Sequence, residues 1–268
     1  MQPLTSSSPA GVLKVASAQA VAVPGDIERN VATAARLTAE ASARGAGLVV
    51  FPELFLCCYH LTLIGRDPDR CDVRVDDPRL EPIREACRAG SIAAVVSGSI
   101  RSRGGRTISA LVVDREGNLL ARYDKQHVDR EERALFRPGR RGCTVEVGGW
   151  QLALGICRDA TFPEHARAAA LSGAHGYLCP SSHHNQTIVH PARALENTMY
   201  VVLSNHLGEA DGRRLCGGSA IYDPEGKLLA DAGPREEGLA LADLDPDVLK
   251  EVRTRSPMLL EARALHTP

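Results

Sequence analysis

The sequence predicts a mixed α/β fold. Short β-rich runs alternate with stretches of helical periodicity, strand–turn–strand hairpins interrupt that alternation, and no low-complexity linker divides the chain. Val12 to Ala18 is β-rich, and Asp26 then caps a stretch in which Ile27, Val31, Ala34, Thr38 and Ala41 recur at helical spacing. Gly45 and Gly47 close that helix. Leu48-Val49-Val50-Phe51 follows as a buried strand, which Pro52 ends because proline has no N–H for a central ladder. Glu53 therefore falls at a strand's C-terminal end. The same reasoning predicts a helix near Pro78 to Arg88, strands at Ile92 to Gly98 and Ser109 to Val113, and a strand at Leu152 to Ile156 that runs into Cys157. A helix near Pro163 to Leu171, a strand at Tyr177 to Cys179, a helix near Pro191 to Asn197 and a strand at Tyr200 to Ser204 complete the alternation.

Two stretches echo one another. Leu111 to Ala121 and Ala220 to Ala230 each read as a strand, a glycine-containing turn and a second strand, hence as hairpins. Convergent turn chemistry explains the echo better than internal duplication. Hairpins among the helices also exclude a purely parallel, doubly wound sheet.

Composition narrows the function classes. A chain of 268 residues with 44% hydrophobic and 24% charged residues can bury a large core without staples. Its 32 basic and 33 acidic side chains leave a net charge of -1, which supplies no field for a nucleic-acid or anionic-membrane partner. No apolar run approaches the ~20 residues of a membrane span. The Ser/Pro-rich start, Met1 to Gly11, lacks the regions of a signal peptide and reads as a loose tail. The 8 cysteines are scattered without a CxxC pair, fitting neither a disulfide framework nor a zinc ribbon, so a cytoplasmic location is expected.

Three stretches place reactive side chains just past strand ends: Phe51-Pro52-Glu53, Tyr123-Asp124-Lys125-Gln126-His127 and Gly155-Ile156-Cys157-Arg158-Asp159. Strand ends are where layered α/β folds deliver residues to a shared pocket. Taken singly, each residue has a plainer reading: a surface carboxylate for Glu53, a solvated charge for Lys125, a small buried hydrophobe for Cys157.

Taken together, these stretches resemble the nitrilase superfamily of carbon–nitrogen hydrolases. Phe162-Pro163-Glu164 follows the cysteine, Leu135-Phe136-Arg137-Pro138-Gly139 precedes its strand, and Arg193-Ala194-Leu195-Glu196-Asn197 comes after it. Gly218-Ser219-Ala220 and Asp223-Pro224-Glu225-Gly226 extend the likeness over nearly the whole chain. The resemblance implies a four-layer α-β-β-α sandwich of the nitrilase type, with residues 1–268 as one domain and subunits paired into a homodimer or higher homo-oligomer. It implies a Glu53, Lys125, Cys157 triad and a second glutamate, Glu132, with Glu131 as its fallback. The expected reaction is hydrolysis of a small aliphatic amide through a cysteine thioester, releasing ammonia, without metal or cofactor. N-carbamoyl hydrolysis is the alternative. Nitrile hydrolysis ranks lower, because such relatives usually carry Trp-Glu where this chain has Arg158-Asp159, and so does a non-catalytic scaffold, because all four catalytic positions retain suitable residues.

The chemistry explains these residue types. A thiol of pKa ~8.5 is mostly protonated at neutral pH, so a base must take its proton or a cation must hold its thiolate. Glu53 serves as base, while Lys125 and the Arg158 peptide N–H meet the oxyanion.

This chain departs from the family pattern in places. Arg158 stands where many members have an aromatic residue. A salt bridge to Asp159 or Glu164 is its first expected role, and capture of a substrate carboxylate its second. Cys58 precedes Tyr59 where glycine is common, and the vicinal Cys57-Cys58 pair reads as buried filler. The loop from Lys125 to Glu132 is short for the family. Tyr59, Ser182 and His183 are expected to contact substrate with Arg158. His183, His184 and His190 lack metal-site spacing. Arg193 and Glu196 form an expected i,i+3 pair.

Overall fold

The structure, a computed structural model, describes residues 9–182 and 188–266. In the first half, β1 (Leu13–Gln19) leads through α1 (Ile27–Ala43) to β2 (Leu48–Val50). The short α2 (Leu61–Arg66), α3 (Pro68–Cys71) and β3 (Asp72–Val73) precede α4 (Glu81–Gly90) and a meander of β4 (Ala93–Ser102), β5 (Gly105–Val113) and β6 (Leu119–Asp124). The second half runs β7 (Thr144–Val147), β8 (Trp150–Leu154), α5 (Pro163–Leu171), β9 (Gly176–Ser181), α6 (Val189–Asn197) and β10 (Tyr200–Asn205). Two hairpins follow, β11 (Leu207–Ala210) with β12 (Arg213–Cys216), and β13 (Ala220–Tyr222) with β14 (Leu228–Asp231). The chain closes with β15 (Gly238–Leu244), α7 (Pro246–Arg255) and α8 (Met258–His266).

Apart from β11 and β12, which form a two-stranded sheet of their own, these strands form two mixed sheets. The first has the order β15-β1-β2-β4-β5-β6, with β3 beside β4, and the second β14-β13-β10-β9-β8-β7. Each holds a parallel core of three strands, β1-β2-β4 and β8-β9-β10, flanked by antiparallel neighbours. Such cores need helical crossovers. α1 supplies one, capped by the Asp26 side chain on the Arg29 N–H, with Ile27, Val31, Ala34, Leu37, Thr38 and Ala41 buried along one face. α1 and α4 pack together outside the first sheet, and α5 and α6 lie against the second.

The sheets face each other across one apolar core containing Val15, Val50, Val95 and Val112 from the first and Leu152, Leu178 and Val202 from the second. Full burial of each such aliphatic side chain contributes about 1.5–3 kcal/mol. The Ser17 hydroxyl donates to the Leu203 carbonyl and the Ser204 hydroxyl to the Ala18 carbonyl, 2.6 Å away, so polar side chains on the facing strands are satisfied by the opposite sheet.

The two echoing hairpins share one turn chemistry. Asp114 Oδ1 accepts from the Glu116 and Asn118 N–H groups, and Asp223 Oδ1 from those of Glu225 and Lys227. Gly117 and Gly226 take positive φ in these turns. Two predicted strands are longer than expected: β4 reaches Ser102 and β5 begins at Gly105, joined by a tight turn at Arg103 and Gly104.

Candidate active site

Four chain segments converge at one end of the sandwich. Glu53 follows β2, Lys125 follows β6, Cys157 follows β8 and Ser182 follows β9. Lys125 is placed by backbone bonds on both sides, its N–H donating to the Ile108 carbonyl at 2.9 Å and its own carbonyl accepting from Gly139 at 2.8 Å. Gly139 is required there, because a Cβ would lie 2.1 Å from the Asp124 carbonyl oxygen.

The lysine bridges two carboxylates. Its Nζ donates to Glu53 Oε1 at 2.6 Å and to both oxygens of Glu132 at 2.8 Å, and all three side chains are wholly buried. Burial alone would discharge the lysine. The carboxylates of Glu53 and Glu132 outweigh it and hold the ammonium well above the usual lysine range. Glu53 is pulled the other way, with burial raising its carboxyl pKa above the ordinary value despite Lys125. Removing one member of such a group would leave an uncompensated buried charge, typically costing 3–5 kcal/mol in stability.

Cys157 sits on a strained elbow. Its φ of 47° lies in the left-handed region, which β-carbon-bearing residues rarely adopt. A 3₁₀ turn, Cys157–Thr161, starts at this residue. Gly155 lets the elbow close onto β9, since a Cβ there would fall 1.8 Å from the Tyr177 hydroxyl. Burial and the nearby carboxylates of Glu53 and Glu132 raise the thiol pKa well above normal, against the opposing pull of Lys125 and the Ser182 backbone bond. The surroundings therefore favour the neutral thiol.

Asp159 ties the elbow to the lysine strand. Its Oδ2 accepts from the Ile156 N–H at 2.9 Å and the Tyr123 hydroxyl at 2.7 Å, while Oδ1 accepts from the His127 N–H at 2.8 Å and Nδ1 at 2.9 Å. Burial disfavours this charge, but the bonds from His127, Tyr123 and Ile156 prevail and lower its pKa. Behind it, Tyr177 donates to His165 Nδ1, and His165 Nε2 donates to the Tyr123 oxygen, both at 2.9 Å, in a chain whose directions follow from Tyr123 donating to a carboxylate. Burial lowers the His165 pKa, in keeping with a neutral ring.

The structure also relocates several sequence expectations. Arg158 pairs with Asp129, Nη1 to Oδ2 at 2.6 Å, rather than with Asp159 or Glu164, because Asp159 turns inward to the elbow. Asp129 in turn gives its N–H to Glu132 Oε2 at 2.7 Å, so this pair braces the short loop carrying Glu132. Glu131 points outward to Arg213 of β12, which separates it from the lysine. Tyr59 donates its hydroxyl to Glu132 Oε1 at 2.7 Å, and Ser182 donates to Glu53 Oε2 at 2.8 Å, so both hydroxyls orient carboxylates. His183 and His184 lie outside the described residues. Cys57 and Cys58 are buried thiols, with burial raising both pKa values. Arg193 and Glu196 pair at 2.6 Å, and Arg193 Nε also donates to the Ala160 carbonyl behind the elbow. His206, absent from the sequence reading, donates to the Glu53 carbonyl. It lies one residue past β10, the same strand-end position that singled out the other three segments.

Residues 14–254 match the sequence profile of the family described as Carbon-nitrogen hydrolase. An (R)-stereoselective amidase of a Pseudomonas species is 31% identical over 261 residues, spanning 94% of this chain and 92% of that protein. An amidase from Nesterenkonia sp. has the same fold, with a TM-score of 0.79 at 33% identity over 91% of this chain and 94% of its own. A cysteine-to-alanine mutant of the Nesterenkonia sp. AN1 amidase in complex with butyramide matches with the same TM-score of 0.79 and 33% identity, over 91% of this chain and 95% of its own.

Proposed function

Because the chain belongs to the carbon–nitrogen hydrolase family, we propose that it hydrolyses small, neutral aliphatic primary amides through a thioester on Cys157. The observation that carries this reading is the wholly buried Lys125 ammonium held between Glu53 and Glu132, with its field acting on the Cys157 thiol.

The raised pKa of Glu53 makes it a competent acceptor for the thiol proton as sulfur attacks the amide carbon. A C–S bond forms and the carbonyl π electrons move onto oxygen. Lys125 and the Arg158 peptide N–H stabilise that oxyanion. When the tetrahedral adduct collapses, protonated Glu53 gives its proton to the departing nitrogen and ammonia leaves. Glu53, again a carboxylate, then deprotonates a water that attacks the thioester, yielding the carboxylic acid and the free thiol. Glu132 keeps Lys125 charged throughout and is itself oriented by Tyr59 and the Asp129 N–H.

Neutral substrates are favoured because the Arg158 guanidinium already has a carboxylate partner in Asp129. The butyramide held by a structural neighbour belongs to the proposed class. Ammonia release measured across butyramide and other aliphatic amides, N-carbamoyl amino acids and nitriles tests the reading. Turnover concentrated on the amides is expected. Preference for the carbamoyl compounds or nitriles would replace the substrate assignment, and equal release by Cys157→Ala would refute the mechanism.

A further inference from the structure

We infer that His206 is a positioning residue for the base, holding the main chain of Glu53 so that its carboxylate stays in register with Lys125 and Cys157. This rests on the amide-hydrolase reading and adds to it a residue outside the reacting groups.

The geometry around Glu53 leads there. The residue opens a turn of unusual backbone, followed at once by Leu54 with φ 55° and later by Cys58 with φ 67°. Such a turn is not held by a regular ladder and relies on specific partners. Its N–H makes a long bond, 3.3 Å, to the Ser181 carbonyl, whereas its carbonyl accepts from His206 Nε2 at 2.5 Å. The side chain is then divided between Lys125 on Oε1 and Ser182 on Oε2. Ser181, Ser182 and His206 belong to the second sheet or its ends, so the opposite sheet fixes this first-sheet carboxylate.

His206 is built for one bond. It has no exposed surface, and its ring stacks on Phe55 at 5.9 Å with a 23° interplanar angle. A carbonyl can only accept, so the ring proton is on Nε2. Nδ1 is buried and has no hydrogen-bond partner among the described residues, an arrangement that costs stability and that a simple packing role would not require. Burial lowers the imidazole pKa to about 4, which keeps the ring neutral and the Nδ1 site unprotonated near neutral pH. The same residue's carbonyl accepts from Gly217 at 2.8 Å, joining the base's anchor to the start and finish of the β11–β12 hairpin.

Two substitutions separate the donor from the packing. His206→Phe keeps a ring against Phe55 and removes the donor, whereas His206→Gln places an amide N–H near the position of Nε2. Butyramide is the probe, with Cys157→Ala as the blank and active sites counted by labelling Cys157 with iodoacetamide. Small misplacement of a catalytic group is costly, so His206→Phe is expected to lose at least about 10-fold in kcat per active site with KM held within about twofold. His206→Gln is expected to recover to within about threefold of wild type. Wild-type kcat per site in His206→Phe, even with a lowered Tm, would overturn the inference, as would a folded His206→Gln that is as slow as His206→Phe. If His206→Phe does not fold, His206→Asn replaces it: its shorter amide should be slow where glutamine is active, and equal rates would overturn the claim. A wild type no faster than Cys157→Ala would instead sink the hydrolase reading, and this inference with it.

Discussion

The first sheet and the loop after it bring three ionisable side chains to the site, Glu53, Lys125 and Glu132, whereas the second brings a thiol, a hydroxyl and an imidazole from Cys157, Ser182 and His206. The two sides are stabilised differently. Buried charges on the first side hold one another, two carboxylates on one ammonium, and each would be costly alone. On the second side the strained Cys157 elbow is held by hydrogen bonds to a carboxylate behind it and by a glycine that permits close approach. The contrast shows how a high-pKa thiol can be made useful. In the proposed mechanism one sheet supplies the field and the proton acceptor, and the other a nucleophile whose position does not depend on its charge.

Removing the ammonium should break the first side most severely. Lys125→Ala is expected to lower kcat/KM by at least ~10²–10³-fold, the usual cost of one oxyanion donor. It should also lower Tm, because two buried carboxylates lose their shared partner. Steady-state kinetics and thermal melts on the folded variant measure both, and near-wild-type turnover would refute the role of the lysine.

A smaller effect is expected from the second side. Asp159→Asn keeps the shape but weakens charge-assisted bonds to Tyr123, His127 and Ile156, which should cost about 1.5–3 kcal/mol by urea unfolding at neutral pH. The sign of the pH dependence follows from the depressed folded pKa of Asp159. Its contribution is fully present above the unfolded carboxylate value of ~3.9 and is lost as pH falls through the folded value. The gap between wild type and variant should therefore narrow in acid. A gap that widens in acid would contradict the assignment.

What the sequence disclosed divides along the same physical line. Local signals were legible: the Asp26 cap, the strand stopped by Pro52, and the Asp114 and Asp223 turns all act within a few residues. Strand-end placement together with the family resemblance picked out Glu53, Lys125 and Cys157, and spacing from Pro138 picked out Glu132 over Glu131. The β11–β12 hairpin and the two-residue β3 were not legible, because their short, polar runs are held by tertiary partners. Arg158 found Asp129 rather than a neighbour in sequence for the same reason. Ser182 reads from sequence as a substrate contact, and its bond to Glu53 was not legible because it depends on a carboxylate 129 positions away.

In the proposed mechanism this pairing of halves makes the Cys157 sulfur the atom that takes the acyl group. Wild-type protein turning over butyramide can be quenched in acid at successive times, digested and analysed by peptide mass spectrometry. A butyryl group on the Cys157 peptide, appearing within the first turnover and absent from the other cysteine peptides, is the predicted result. Ammonia released with the acyl group never on Cys157, or with it on another residue, would contradict the account.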